Sequence, residues 1–210
     1  MKADPIGEAA AAARRGELIV LPTDTVYGIG TSPQIAGATD RLFEAKVRAR
    51  HVQLPVLVSS LTEADRIARI DERAARLAAA CWPGALTVVL PRTDLSAGWD
   101  LGGDRSTVGV RVPRHQLTSA VLHRSGPLAM TSANRSGGPP LTTCDELRGA
   151  FRDLVSIYLC DERALEGEAS TVIDLAHGRP TLLRIGGVAV ATIEGLLPEE
   201  GPLLDSRPSS

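Results

Sequence analysis

Residues 85–113 read ALTVVLPRTDLSAGWDLGGDRSTVGVRVP. Two apolar runs, Ala85 to Pro91 and Thr107 to Pro113, each close on a proline, and a Gly- and Asp-rich loop from Asp94 to Arg105 joins them. Short continuous apolar runs bounded by turn signals read as buried strands. Parallel neighbours need a long crossover, usually a helix, whereas strands that follow one another directly pair antiparallel. This stretch therefore argues for a mixed sheet.

Toward the N-terminus, an Ala-rich helix is expected over Pro5 to Arg15, stopping at Gly16. The run LIVLP, Leu18 to Pro22, reads as a buried strand, followed by a polar TDT turn and then VYGIG. Over Gln34 to Val47, the residues Ile35, Ala38, Leu42, Phe43 and Ala45 fall mostly on one helical face. Leu54 to Val58 is another buried run, and Thr62 with Asp65 resembles an acidic capping box opening a helical region with Ile67, Ile70, Ala74 and Leu77. Toward the C-terminus, His115 to Arg124 suits a short helix and Pro127 to Ser132 a strand. Thr143 with Glu146 forms a capping box for a helix over Asp145 to Leu154. Val155 to Leu159, Thr171 to Leu175 and Thr181 to Ile185 are three further strands. The sum is an α/β fold with a mixed sheet in one domain, residues 1–197. The polar, Pro- and Ser-rich residues 198–210 form an expected loose tail.

The 210 residues suffice for one substantial core, and 43% hydrophobic with 23% charged residues is ordinary globular composition. Aromatics are only 3%, so the core is aliphatic. A formal net charge of -2 supplies no global field for nucleic acid or anionic membrane, which disfavours an RNA-binding module and leaves room for a local basic patch. Cys81, Cys144 and Cys160 are far apart and odd in number, and they read as small buried hydrophobes rather than as a disulfide framework or metal knuckle. No apolar run nears the roughly 20 residues of a membrane span, and the N-terminus lacks the order of a secretory signal, so a cytoplasmic, membrane-free protein is expected.

No GxxxxGK[ST] loop, GxGxxG, GxSxG or HExxH is present. Polar residues instead gather at strand ends: Thr23 and Thr25 after the first strand, Arg111 within VGVRVP, Ser132 and Asn134 after PLAMT, and Ser170 and Thr171 opening STVIDL. Lys46, Arg48 and Arg50 close the first amphipathic helix. Ligands of open α/β sheets collect at strand ends, and Arg, Lys and hydroxyls together suit a carboxylate and a triphosphate. Each has a structural alternative. The three cations could compensate a helix C-terminus, Arg111 could serve a salt bridge, and Ser132 and Asn134 could form a turn before Gly137-Gly138.

The strings LPTDTVYGIG, EAKVR, WPGALTVVL, VGVRVPRH, TSANRSG, STVIDL and LLRIGG occur in that order between about Leu18 and Gly187. Together they resemble the YrdC-like family of threonylcarbamoyl-AMP synthases in its short, single-domain form. The co-occurrence of KxR (Lys46, Arg48) with SxN (Ser132, Asn134) is the most specific part. The resemblance implies a twisted mixed sheet flanked by helices around a concave basic cavity. It implies that L-threonine, bicarbonate or CO2, and ATP with Mg2+ give threonylcarbamoyl-AMP and pyrophosphate. A separate transferase complex then uses the adenylate to modify adenosine 37 of tRNA. By motif position, Thr23, Arg111, Ser132 and Ser170 would bind L-threonine. Lys46, Arg50, Thr107, Asn134, Thr142 and Arg184 would bind ATP, and Lys46 with Arg48 would carry the catalytic charge. Ala49, Gln53-Leu54 and Ile185 depart from the family's usual prolines and Pro-Leu pair. Two rival readings are a related domain that adenylates carbamate from carbamoyl phosphate and a non-catalytic RNA-binding module, and the basic cavity leaves room for weak RNA binding.

Overall fold

A computed structural model of the chain describes residues 4–135, 137–161, 165 and 167–206. Helix α1 (Pro5–Arg14) starts on Pro5, with the Asp4 carboxylate accepting the Gly7 N–H at 3.0 Å, and the chain turns at Gly16 with φ 78°. Strand β1 (Leu18–Leu21) pairs antiparallel with β2 (Gly28–Thr31), a strand unassigned in the sequence reading. Its glycines reflect close packing: a Cβ on Gly30 would sit 2.6 Å from the Ala129 carbonyl oxygen. Helix α2 (Ala38–Lys46) is shorter than expected, because it begins after Gly37, whose φ is 73°.

After β3 (Val56–Leu57) the expected single helical region is two helices, α3 (Leu61–Ile67) and α4 (Glu72–Cys81). Ala68 turns extended and bridges Arg92, and Asp71 caps the second helix by accepting the Ala74 N–H at 2.8 Å. The cap of α3 is also corrected. Ser60, not Thr62, accepts the Glu63 N–H at 3.2 Å, and Glu63 reaches back to the Ser59 N–H at 2.7 Å. Strand β4 (Leu86–Pro91) leads to β5 (Thr107–Arg111) through a loop holding the one-turn helix α5 (Asp94–Ala97).

Helix α6 (Gln116–Ser125) and β6 (Leu128–Ser132) follow, and α7 (Cys144–Phe151) opens on the expected Thr143–Glu146 capping box. Strands β7 (Val155–Tyr158), β8 (Thr171–Asp174) and β9 (Thr181–Arg184) precede α8 (Val190–Leu196). The segment expected to be loose is built into the fold as far as Asp205. Strand β10 (Leu204–Asp205) runs parallel to β9, and Arg76 and Arg73 pair with Glu199 and Glu200 at 2.5 and 3.5 Å. Residues 207–210 of the expected tail lie outside the described residues.

Among the described residues, ten strands form one mixed sheet in the order β10-β9-β8-β4-β5-β3-β6-β2-β1-β7. Its two faces follow from the period-2 alternation of side chains. On one face Leu86, Val88, Leu90, Val108, Val110 and Ile173 pack with residues of α2, α3, α4, α7 and α8. On the other, Ile19, Leu21, Leu57, Leu128 and Met130 pack with α1 and α6, whose contact residues include the small Ala9, Ala10, Ala12 and Ala13. The β4–β5–β8 part of that second face carries cavity-lining residues where a helix contact would otherwise stand: Thr87 and Val89, Thr107, Gly109 and Arg111, and Val172 and Asp174.

The cysteine expectation is corrected. Cys144 and Cys160 form a disulfide with Cα atoms 5.8 Å apart, and only Cys81 is the buried free thiol expected. The turn from α7 into β7 folds the chain back on itself, a return that a spacing of 16 residues does not reveal.

Candidate active site

The cavity encloses about 480 Å³ over the helix-free part of the sheet. Its floor is made by alternate residues of β4, β5 and β8, and its walls by the 23–28 turn, the 48–55 loop and the segments at Ser170 and Arg184. Seven of the residues expected in the site line it: Thr23, Arg48, Thr107, Arg111, Ser132, Ser170 and Arg184.

At one end Arg111 is nearly buried within β5. Its Nε donates to the Gly84 carbonyl at 2.9 Å, Nη1 to Thr25 Oγ1 at 3.0 Å and Nη2 to Asp24 Oδ1 at 2.6 Å. The Thr25 hydroxyl is 2.9 Å from Thr23 Oγ1, which donates to the Val26 carbonyl and accepts the Thr25 N–H. Since Thr23 has one proton and two lone pairs, its hydroxyl is fully committed, so Thr23 shapes the wall more than it offers a free donor. Ser170 Oγ lies 2.8 Å from Thr87 Oγ1 and accepts Arg184 Nη2 at 2.9 Å, while the Ser170 carbonyl accepts Arg184 Nε at 2.9 Å. That pair of bonds aims Arg184 along the cavity.

The cations form a relay of like charges. Burial depresses the Arg184 pKa first and the Arg111 charge second; burial and then Arg184 depress Arg48. Burial, then Arg48, lowers Lys46 to about 8. Groups of one sign held this close repel unless an anion comes between them. Arg48 donates to the carbonyls of Val52 and Gln53 at 3.1 and 3.0 Å, with no carboxylate partner among the described residues.

The opposite end is acidic. His177 bridges Asp174 Oδ2 at 2.7 Å and Asp104 Oδ2 at 3.1 Å, and all three line the cavity. The Asp174 hydrogen bond is the largest cause of a raised His177 pKa, with Asp104 adding to it. Gln53 Nε2 donates to the Asp104 and Thr107 carbonyls at 2.7 and 2.9 Å, so the residue that departs from the family's proline ties the Arg48 loop to β5.

Four expected residues stand elsewhere. Lys46 is buried behind the wall, its ammonium donating to the carbonyls of Ser132 and Asn134, which makes it a brace for that turn. Asn134 donates to the Arg135 and Gly138 carbonyls at 2.9 and 2.7 Å, and its buried Oδ1 has no partner among the described residues. Arg50 points outward, paired with Asp40 and with Asp100 at 2.9 Å over the Phe43 ring, and Thr142 accompanies the capping box through Glu146. Asp24, Thr87, Asp104, Asp174 and His177 escaped sequence reasoning. Thr87 had a legible signal, a polar residue in phase with Val89 inside an apolar strand.

An α/β protein whose cavity gathers Arg48, Arg184 and Arg111 in its lining is an anion-binding protein of the enzyme type. Comparison with known proteins identifies the lineage. The profile of the Sua5/YciO/YrdC family, described as "Telomere recombination", matches residues 11–186, and the chain belongs to this family. A Mycobacterium leprae (strain TN) protein, provisionally named a threonylcarbamoyl-AMP synthase, is 40% identical over 197 residues, covering 93% of this chain and 89% of the relative. The structure of Pyrococcus abyssi Sua5 complexed with L-threonine superposes with a TM-score of 0.84 at 33% identity; the match covers 95% of this chain and spans 58% of the Pyrococcus one. Escherichia coli YciO superposes with a TM-score of 0.81 at 27% identity, covering 88% of this chain and 90% of that one. The likeness to HypF, at 17% identity, is one of fold alone.

Proposed function

We propose that this chain is an L-threonylcarbamoyladenylate synthase, forming threonylcarbamoyl-AMP and pyrophosphate from L-threonine, bicarbonate or CO2, and ATP for modification of adenosine 37 of tRNA. The observation that carries the proposal is the set of cations Arg48 and Arg184, without a carboxylate partner among the described residues, that shares one cavity with Arg111. Relatives named threonylcarbamoyl-AMP synthase and the threonine complex of Pyrococcus abyssi Sua5 support the same reading.

In this reading the threonine amine takes up CO2 to give a carbamate and a proton. A carbamate oxygen attacks the α-phosphorus of ATP, the bond from that phosphorus to its bridging oxygen breaks, and pyrophosphate leaves. Both reactants of that second step, the carbamate and ATP, are anionic, so alignment and charge neutralisation supply the catalysis. Arg111 takes the amino-acid carboxylate: among the described residues three of its five N–H donors are engaged, leaving one on each terminal nitrogen. Arg184 and Arg48 take the phosphates, and Ser170 orients Arg184. Lys46 contributes by holding the Ser132–Asn134 turn. Mg2+ would arrive on the ATP phosphates as part of the substrate. There it would supply charge neutralisation for the leaving pyrophosphate.

Incubation with labelled bicarbonate, L-threonine and ATP tests the product directly. The label is expected in a nucleotide carrying both AMP and threonine, and absent when threonine is omitted. A labelled nucleotide that forms only when labelled carbamoyl phosphate replaces the bicarbonate would replace this reading with the carbamoyl-adenylating one.

A further inference from the structure

Asp24 does not line the cavity; it stands behind Arg111, between the cavity-lining Thr23 and Thr25. Its Oδ1 accepts Arg111 Nη2 at 2.6 Å and the Arg114 backbone N–H at 2.9 Å. Both side chains of the pair are largely buried, 6% exposed for Arg111 and 14% for Asp24. Asp24 thus does two physically separable things. As an acceptor it fixes the plane of the guanidinium, together with Thr25 and Gly84. As an anion it satisfies much of the Arg111 charge before any ligand arrives, in surroundings where that attraction is weakly screened.

We infer that Asp24 is a positioning residue that acts through Arg111 and sets, by its charge, how tightly the cavity holds the carboxylate of the amino-acid substrate. The inference rests on the reading that the amino acid lies at the Arg111 end. Its consequence is a pair of opposite effects. Asparagine keeps one oxygen able to accept both N–H groups, because both fall on the same Asp24 oxygen, but it removes the competing charge. Alanine removes charge and orientation together. Asp24→Asn therefore binds L-threonine about three- to tenfold more tightly than the natural chain while unfolding at lower denaturant, since it buries an unpaired cation. Asp24→Ala binds L-threonine at least tenfold more weakly, and neither variant changes ATP affinity by more than about twofold.

Calorimetric titration of L-threonine into the natural chain and both variants, with ATP titrated separately, tests this. Tighter threonine binding by Asp24→Asn, with weaker binding by Asp24→Ala, is the expected result. A natural chain that binds no L-threonine would overturn the functional reading itself. Threonine binding by the natural chain, with equal or weaker binding by a folded Asp24→Asn, would overturn the role of Asp24 alone. If Asp24→Asn does not fold, Asp24→Glu takes its place, keeping the charge but displacing the acceptor by one methylene. It is expected to weaken threonine several-fold with ATP affinity kept, and unchanged threonine affinity would overturn the inference.

Discussion

Gly109 forms part of the cavity floor by having no side chain. A Cβ there would meet Thr87, Pro55 and Val89 at 3.4–3.7 Å, which is ordinary contact, so the sheet tolerates a substitution while anything beyond Cβ enters the cavity. Gly109→Val is expected to leave the melting temperature within about 3 °C of the natural chain, since strands favour β-branched residues. Binding of L-threonine or ATP should weaken at least tenfold, a split that paired melting and titration would show. His177 makes a different prediction. Its pKa is raised above the ordinary 6.5 by Asp174 first and Asp104 second. A cationic group with a raised folded pKa stabilises fully below its unfolded pKa and loses that contribution as pH rises through the folded value. Denaturant titrations should find His177→Gln less stable than the natural chain at pH 5.5 and equal to it at pH 9. A gap that does not close with pH would contradict the bridge to Asp174 and Asp104.

Among the elements, the end of α2 determines where the basic motif points. Val47 takes φ 52° at the C-cap, and the Val47 and Arg48 N–H groups close back on the Glu44 and Phe43 carbonyls. This left-handed position ordinarily takes glycine, and for a β-branched residue it is strained. The turn sends Lys46 inward and Arg48 toward the cavity, while the Val47 side chain stays 75% exposed. Val47→Gly loses no packing and is expected to gain about 1 kcal/mol by urea unfolding; a loss of stability would show that the side chain is needed. The Cys144–Cys160 link closes a loop of 16 residues across α7 and β7, and reduction should lower stability by about 2–3 kcal/mol. Legibility varied for physical reasons. The Thr143–Glu146 box was readable because its signal is local. Strand β2 was not, because its glycines answer to Ala129 and Met130, about a hundred residues away in sequence. The break between α3 and α4 was hidden because Ala68 owes its extended shape to a bridge with Arg92.

For the molecule as a whole, the direct step from Ala85–Pro91 to Thr107–Pro113 indicated a mixed sheet, and the antiparallel β4–β5 pair lies in the middle of it. Which half of one face would stay free of helices depends on where α1 and α6 dock, a tertiary fact that periodicity does not carry. Arg111 was legible because an Arg inside an apolar strand demands a partner, and Ser170 because polar residues gather at strand ends, whereas Arg184 came only from the family resemblance. Asp24 and His177 were missed because their meaning lies in which loops meet. Pyrophosphate release from Mg2+-ATP with bicarbonate, with and without L-threonine, compared between the natural chain and Arg184→Ala, tests most directly that these cations form an adenylating site. Threonine- and bicarbonate-dependent release that falls at least a hundredfold in the variant is the predicted result (roughly 3 kcal/mol of lost transition-state stabilisation). Release indifferent to threonine, or unaffected by loss of Arg184, would contradict it.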